Sequence, residues 1–248
     1  MILSIITATY NSEKFIGECL TSTMNICGEN NDVEHIVFDG KSSDNTIEIA
    51  SSFNHVKVIQ SNGDKGVYDA FNKAVPFAKG NYILFLNSDD IFTLTKEREL
   101  VQLLGKSDSI WLSGFINIID QDGIILRKDR IKRRLNFYRF LISNTIRHPA
   151  TFVKRTYLLE NKFDLKYTYA ADYAFFLELW SKGNNPYVIP SIISSFRIWQ
   201  NSLSSNFEKS VRDEFLVRKD WREKSNAPIL LRLVDKLVFH LRLLKLKL

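Results

Sequence analysis

The sequence predicts an α/β protein: a mostly parallel central sheet flanked by helices, with a C-terminal amphipathic helical extension. Three observations carry the prediction. Short β-rich runs and helical patterns alternate along the first hundred or so residues, at intervals of about thirty residues or less. Each run ends in polar residues, several of them aspartates. The 248 residues, 45% hydrophobic with only 10 Gly and 5 Pro, suit one sizeable domain with a short appendage and exclude a disordered or low-complexity chain.

The first run, Ile2 to Ala8, closes on Thr9-Tyr10-Asn11. Phe15, Ile16, Cys19 and Leu20 then fall on one helical face. A second run, VEHIVF, ends at Asp39-Gly40, and Ser43 and Asp44 are N-cap candidates for a helix carrying Ile47, Ile49 and Ala50. HVKVIQ is the third run. After the SNGDKG loop, VYDAFNKAVPFA has helical spacing, and Gly80 stops it. NYILFL is the fourth run, ending at Asn87-Ser88-Asp89-Asp90. In helix-covered parallel sheets, ligands bind beyond the carboxyl ends of the strands. Thr9, Asp39, Asp89 and Asp90 therefore converge on one edge.

From residue 106 the alternation fades. SDSIWLSGFINIID, QDG and IILRK read as a hairpin turning at Asp122-Gly123. In the next stretch Arg130, Lys132, Arg133, Arg134 and Arg139 interleave with Phe137, Tyr138 and Phe140. This is either a solvated loop or a surface for a diphosphate or anionic headgroups. Single-stranded RNA can use such a stretch, but no RNA-binding fold accompanies it, and nucleic acid is not an expected partner. In PILLRLVDKLVFHLRLLKLKL, Leu230, Leu233, Leu237, Leu241, Leu244 and Leu248 share one helical side. Arg232, Lys236, His240 and Lys247 gather on the other. That pattern fits a helix lying on anionic lipid, or one packed onto the globular part.

The 34 basic and 28 acidic residues leave a net charge of +6. That balance suits an anionic substrate, a membrane surface or nucleic acid without choosing among them. MILSIITATY has no basic region before it, and no run of about 18 apolar residues follows anywhere. The expectation is a cytoplasmic protein that can still touch a membrane. Cys19 and Cys27 lack zinc-type spacing and read as reduced thiols. The sequence has no GxGxxG after the first strand, no GxxxxGK[ST] and no GxSxG, which argues against dinucleotide, P-loop and hydrolase readings. A carboxylate-rich edge without a glycine cradle holds a diphosphate only through a metal. Hard oxygen ligands favour Mg²⁺ or Mn²⁺ over zinc. The neighbouring Asp89 and Asp90 repel one another unless a cation or solvent intervenes.

ITATYNSEKFIGECLTS, FDGKSSDNT and DKGVYDAFNKAVPFAKGNYILFLNSDD together resemble the nucleotide-binding half of family 2 glycosyltransferases, of GT-A fold, in their bacterial O-antigen and exopolysaccharide branch. The resemblance covers residues 1–105 strongly and 140–200 more weakly. It implies that Thr9 lines a nucleotide pocket and Asp39 faces the base. Asp64 and Asp69 would line the donor site. Asp89 would sit near the ribose and metal, and Asp90 would bind the metal directly. Gly40 and Asn87 stand where many members carry further acids. His148, in IRHPATF, would contact the diphosphate or metal, or serve as a structural hydrogen-bonding residue. Asp172, opening YAFFLELW, corresponds to the catalytic base, and it is also placed to cap that helix. For Asp44 a capping role is expected, and Asp69 has Lys65 and Lys73 as alternative partners.

The implied organisation is 1–105 for the nucleotide sugar, 106–205 for the acceptor and 206–248 as a helical extension. The implied activity is inverting, Mn²⁺- or Mg²⁺-dependent transfer of a hexose from a UDP-sugar to a polyprenyl-diphosphate-linked acceptor, in O-antigen or surface-polysaccharide synthesis. It would take place on the inner face of the cytoplasmic membrane. A sugar nucleotidyltransferase and a non-catalytic polysaccharide- or lipid-binding relative are the alternatives. The first lacks its glycine-rich triphosphate loop here.

Overall fold

The apolar opening run forms β1 (Leu3–Thr9), with every residue buried. It can be apolar throughout because it is central. It pairs in parallel with β2 (Val33–Asp39) on one side and β4 (Tyr82–Phe85) on the other, and β3 (Val56–Gln60) lies outside β2. The computed structural model describes residues 1–28, 31–129, 136–200, 202, 206–225 and 229–244. The connections in this half run through α1 (Ile16–Gly28), α2 (Thr46–Ser51) and α3 (Val67–Ala74). The register sets Thr9 opposite Asp39, and Asp39 opposite Gln60. The predicted convergence of strand ends is thus built into the hydrogen-bond ladder.

The same sheet continues into the second half. β8 (Thr151–Lys154) runs antiparallel to β4, and β6 (Trp111–Ile119) antiparallel to β8. β9 (Tyr187–Arg197) lies parallel to β6, and β5 (Ile91–Phe92) forms the far edge, antiparallel to β9. β7 (Ile125–Asp129) pairs with β6 alone, completing the predicted hairpin. β5 follows directly on Asp89-Asp90, so the sheet curls and brings the Arg197 end of β9 beneath that loop.

Helices cover both faces. One core layer gathers α3, α5 (Phe137–Ile142) and α7 (Ala171–Ser181), with Trp111 stacked on Phe176 at 5.2 Å. The other layer carries Leu3, Ile5, Leu100 and Leu104, the last two from α4 (Glu97–Lys106). α7 buries eight of its eleven residues, which its nearly uninterrupted apolar sequence requires. Asp172 is its one buried acid. α6 (Arg155–Glu160) follows β8.

Two local expectations are corrected. Helix α3 ends at Ala74 and passes into a 3-10 turn, Val75–Phe77, where Pro76 has no N–H to continue the ladder. Gly80 serves instead as a point of close approach. A Cβ there would lie 2.4 Å from the Ser4 nitrogen. Neither Ser43 nor Asp44 is the N-cap of α2, a position held by Asn45; the Asp44 carboxylate closes the turn just before it by accepting the Thr46 N–H at 3.0 Å.

The C-terminal extension packs onto the globular part, one of the two placements left open by its sequence. α9 (Ile229–Leu244) lies against α8 (Phe207–Ser225), where buried Asp235 receives Arg218 at 2.5 Å and also Arg222. Arg242 pairs with Glu214, and Phe215 stacks on Phe239 at 4.3 Å. Arg218 in turn sits over the Tyr173 ring of α7. Elsewhere on α9, Leu237, Leu241 and Leu244 are 60%, 52% and 57% exposed. Leu230, Leu233 and Leu248 of the same predicted stripe lie outside the residues whose side chains are described. Among the described residues, no helix is long and apolar enough to cross a membrane.

Candidate active site

Thr9 and Asp39 meet at the ends of β1 and β2. The Thr9 hydroxyl donates to Asp39 Oδ1 at 2.9 Å, and Ser42 donates to the same carboxylate through Oγ at 2.5 Å and its N–H at 2.9 Å. Asp39 is fully buried, so these donors balance the cost of burying its charge. Beside them, a Cβ on Gly40 would lie 3.1 Å from Asp64 Oδ2. The missing second acid therefore leaves room for Asp64 to come in from the next strand end.

Asp64 and Asp69 are joined by one cation. Lys73 Nζ lies 3.1 Å from Asp64 and 2.7 Å from Asp69. The Lys65 N–H also donates to Asp69 at 2.9 Å, so both expected partners engage it. Burial would raise the Asp69 carboxyl, but the Lys73 hydrogen bond and the Lys65 N–H outweigh it and hold the group below the usual carboxylate range.

The Asn87–Asp90 loop separates the roles of its two acids. Asp89 is half-buried and accepts the Trp199 indole N–H on Oδ2 at 2.7 Å. Asp90 is fully buried, with Oδ1 accepting the Arg197 backbone N–H and Oδ2 the Asn87 amide, each at 2.9 Å. Both Asp90 oxygens thus accept a donor from within the protein. Burial raises the Asp89 carboxyl, with the Trp199 bond opposing; burial and then the charge of Asp89 push Asp90 well above the usual range.

One buried guanidinium fixes this corner. Arg197 is 1% exposed. Its Nε donates to the Asp89 carbonyl at 2.8 Å, Nη1 to the Gln121 carbonyl at 2.7 Å, and Nη2 to Glu18 at 2.6 Å. It also lies over the Phe15 ring. Sequence reading missed Arg197 and Trp199. The available signal was a single arginine at the end of an otherwise uncharged strand, YVIPSIISSFR.

His148 and Asp172 meet on the other side of the loop. His148 Nδ1 lies 3.2 Å from Asp172 Oδ2, and Nε2 lies 3.3 Å from Asn87 Oδ1. Asn87 gives its amide nitrogen to Asp90, so its oxygen requires a proton on Nε2. His148 thus bridges Asn87 to the Asp172 carboxylate. Asp172 Oδ1 accepts the Tyr68 hydroxyl at 3.1 Å and the Tyr173 N–H at 2.7 Å. Burial would raise this carboxyl; the His148 hydrogen bond and charge, with Tyr173 and Tyr68, hold it below the usual range. Asp90, Asn87, His148, Asp172 and Tyr68 thus form one continuous hydrogen-bonded chain, and Tyr68 was not foreseen.

Among the described residues, no group of three or more His, Cys, Asp or Glu is arranged as a metal cage. Asp89 offers a single carboxylate in a region whose acids are raised by burial. That donor set fits a hard cation such as Mg²⁺, which takes one or two carboxylates and completes its shell with substrate phosphates and water. It does not fit a closed zinc site.

The chain has relatives among known proteins. It is 30% identical over 234 residues to the Escherichia coli UDP-Glc:alpha-D-GlcNAc-diphosphoundecaprenol beta-1,3-glucosyltransferase WfgD, covering 92% of this chain and 89% of that one. It is 27% identical over 220 residues to WfaP, a protein of the same description from the same organism, covering 88% and 86%. Of solved structures, S. aureus TarS 1-349 in complex with UDP-GlcNAc superposes with a TM-score of 0.69 at 21% identity, over 88% of this chain and 65% of that one. The Pyrobaculum calidifontis mannosyltransferase PcManGT, in complex with GDP-Man and Mn²⁺, gives 0.66 at 16%, over 96% and 68%. These two likenesses are of fold. The Glycosyl transferase family 2 model matches residues 4–166, from β1 through the Asn87–Asp90 loop and past His148. The chain belongs to that family, and the enzyme is a glycosyltransferase.

Proposed function

We propose that this enzyme transfers a hexose, with inversion, from a UDP-sugar to a sugar carried on a polyprenyl diphosphate, with Asp172 as the general base. The observation that carries the reading is the buried Asp172 carboxylate, held ionised by three donors at the rim of the Asn87–Asp90 loop. A sugar hydroxyl is a poor nucleophile and must lose its proton as it attacks. A positioned carboxylate contributes roughly 10²- to 10⁴-fold. A single displacement from an α-linked donor yields a β product. WfgD and WfaP, by their names, use UDP-Glc and a GlcNAc-diphosphoundecaprenol, which supports UDP-glucose and a lipid-linked acceptor here.

Asp89 is the residue that would hold Mn²⁺ or Mg²⁺; a bound cation supplies positive charge where the departing diphosphate becomes negative. Asp90 and Arg197 keep Asp89 in place. Thr9, Asp39, Asp64 and Asp69 form the wall of the donor side. The Thr9–Asp39 hydrogen bond and the Lys73 bridge between Asp64 and Asp69 fix its shape before the nucleotide arrives. Residues 1–105 serve the donor, 106–205 the acceptor, and α9 rests its exposed leucines on the inner face of the membrane.

The test is a donor screen of nucleotide sugars against a synthetic GlcNAc-diphosphate lipid, with the product linkage read by NMR. A β-linked hexose from a UDP-sugar is expected. Asp172→Asn should lower the chemical rate by two or more orders of magnitude, with donor affinity kept. Loss of donor affinity with turnover intact would remove Asp172 from the role of base.

A further inference from the structure

Asp89 presents its carboxylate at the outer corner of the Asn87–Asp90 loop, and one side chain decides how it is presented. Trp199 follows Arg197 just past the end of β9, and its Nε1 donates to Asp89 Oδ2 at 2.7 Å. Among the described residues no other side chain hydrogen-bonds this carboxylate. One oxygen is therefore taken, and Oδ1 is left. The terminal torsion of an aspartate is soft, so an unheld carboxylate exchanges its two oxygens freely. A fixed donor removes that freedom.

The donor itself is fixed. The indole is half-buried and meets the Phe15 ring edge-on at 5.1 Å. Lys14 Nζ lies over both rings, 5.4 Å from the centre of the indole and 4.8 Å from that of Phe15. The Trp199 carbonyl accepts the Ser202 N–H at 3.1 Å and the Ser202 hydroxyl at 3.0 Å. Turning the indole away would give up the aromatic contact and the cation on its face together. Phe15 also carries the Arg197 guanidinium, 4.6 Å from its centre. Arg197 holds the Asp89 carbonyl and Trp199 the Asp89 carboxylate, so both ends of this residue are braced against one ring beside the start of α1.

The strands do not need the indole. β5 is joined to β9 by the pairing of Ile91 and Phe92 with Ser195 and Ser194, and Trp199 lies outside that ladder. What the indole adds is the orientation of one carboxylate.

We propose that Trp199 is a positioning residue for the cation of the donor diphosphate: its N–H holds Oδ2 of Asp89 and leaves Oδ1 as the oxygen available to Mg²⁺ or Mn²⁺. This deepens the proposed function and rests on its metal part. A single carboxylate, with phosphates and water completing the shell, is an arrangement that Mg²⁺ accepts. Hydrogen-bond partners of a ligating carboxylate matter to affinity because they orient it.

The test measures Mn²⁺ binding to the full chain in the presence of UDP, by electron paramagnetic resonance of the free ion. Trp199→Phe keeps a ring against Phe15 and removes the donor. Its Mn²⁺ dissociation constant should rise about 10- to 100-fold, the usual loss when such a partner is removed. Its thermal midpoint and its affinity for UDP without metal should stay close to wild type. Trp199→His is the rescue. The histidine Nε2 occupies the same ring position, counted from Cβ, as the indole Nε1, so a neutral ring protonated there can meet Oδ2. It should recover most of the lost affinity above pH 7, where imidazole is neutral. Wild-type Mn²⁺ affinity in Trp199→Phe overturns the proposal. A histidine variant no better than the phenylalanine one also overturns it, because the bulk of the indole would then be the cause. A wild-type chain that binds no Mn²⁺ with UDP overturns it together with the metal reading. None of these readouts requires turnover. Failure of the donor screen with the Mn²⁺ results as expected would therefore strike the transfer reading and leave the role of Trp199 standing.

Discussion

Replacing His148 with alanine separates the two roles its position allows. Asp172 now receives three donors: His148 at 3.2 Å, Tyr68 at 3.1 Å and the Tyr173 N–H at 2.7 Å. Removing the first leaves the carboxylate nearly as buried, with the hydrogen bond that lowers it most gone. A hydrogen bond to a charged group contributes about 1.5–3 kcal/mol. Its loss therefore raises the carboxyl. A base acts only when deprotonated, so the acid limb of kcat/KM should move up. The alkaline plateau should hold or rise, because a carboxylate of higher pKa is a stronger base. His148→Gln, which can donate but carries no charge, should give an intermediate shift. The assay is kcat/KM against pH for the three proteins, with donor KM taken separately. An unmoved acid limb together with a raised donor KM would refute the reasoning and assign His148 to the diphosphate.

Other consequences can be measured directly. Asp89→Asn should abolish most transfer with an unchanged thermal midpoint, while Asp90→Asn should cost about 1–3 kcal/mol of stability, since it disturbs a buried acceptor of two donors. EDTA should stop transfer and Mn²⁺ restore it; full activity in EDTA would remove the metal from the mechanism. On α9, Asp235→Ala should destabilise by about 3–5 kcal/mol by stranding Arg218 and Arg222, and changing Leu237, Leu241 and Leu244 to Ser should leave stability alone and weaken vesicle binding. Burial holds His35 neutral between Thr7 and Thr23, with its pKa lowered to about 3 from 6.5. Its contribution is intact above pH 6.5. Below that, the unfolded chain takes a proton that the folded chain refuses, and stability falls by about 1.4 kcal/mol per pH unit. His35→Gln should flatten the acid side of a melting-temperature profile between those values.

Much of the first hundred residues was legible because their signals are local. Apolar runs bounded by polar ends gave β1 through β4, and the rule that ligands gather at carboxyl ends of strands singled out Thr9, Asp39, Asp89 and Asp90. The residues that were missed act over long separations. Arg197 reaches Glu18, Asp89 and Gln121, and Tyr68 reaches Asp172. No periodicity or spacing in one sequence connects such positions, because the contacts are made by strand order, and the placement of β5 beside β9 follows from curling of the sheet. The helix boundary at α3 was missed for a different reason: Pro76 was the stronger local signal, and Gly80 was given a role it does not have.

Asp89 and Asp90 show why adjacent, chemically identical residues need geometry to tell them apart. In sequence they are one carboxylate pair, and their mutual repulsion argues for a cation near both. The chain turns at Asn87, whose carbonyl accepts the Asp90 N–H at 3.0 Å, and then enters β5 at Ile91. That turn leaves Asp89 at the outer corner. It returns Asp90 to the line of the strand, where the Arg197 N–H at the end of β9 takes its Oδ1. In this arrangement Asp89 is the more exposed of the two. The repulsion is then met asymmetrically: Asp90 is raised well above the usual range, and Asp89 less so. On the proposed reading Asp90 contributes to chemistry through position. Its removal should appear first as lost stability and a displaced Asp89, and only then as lost turnover.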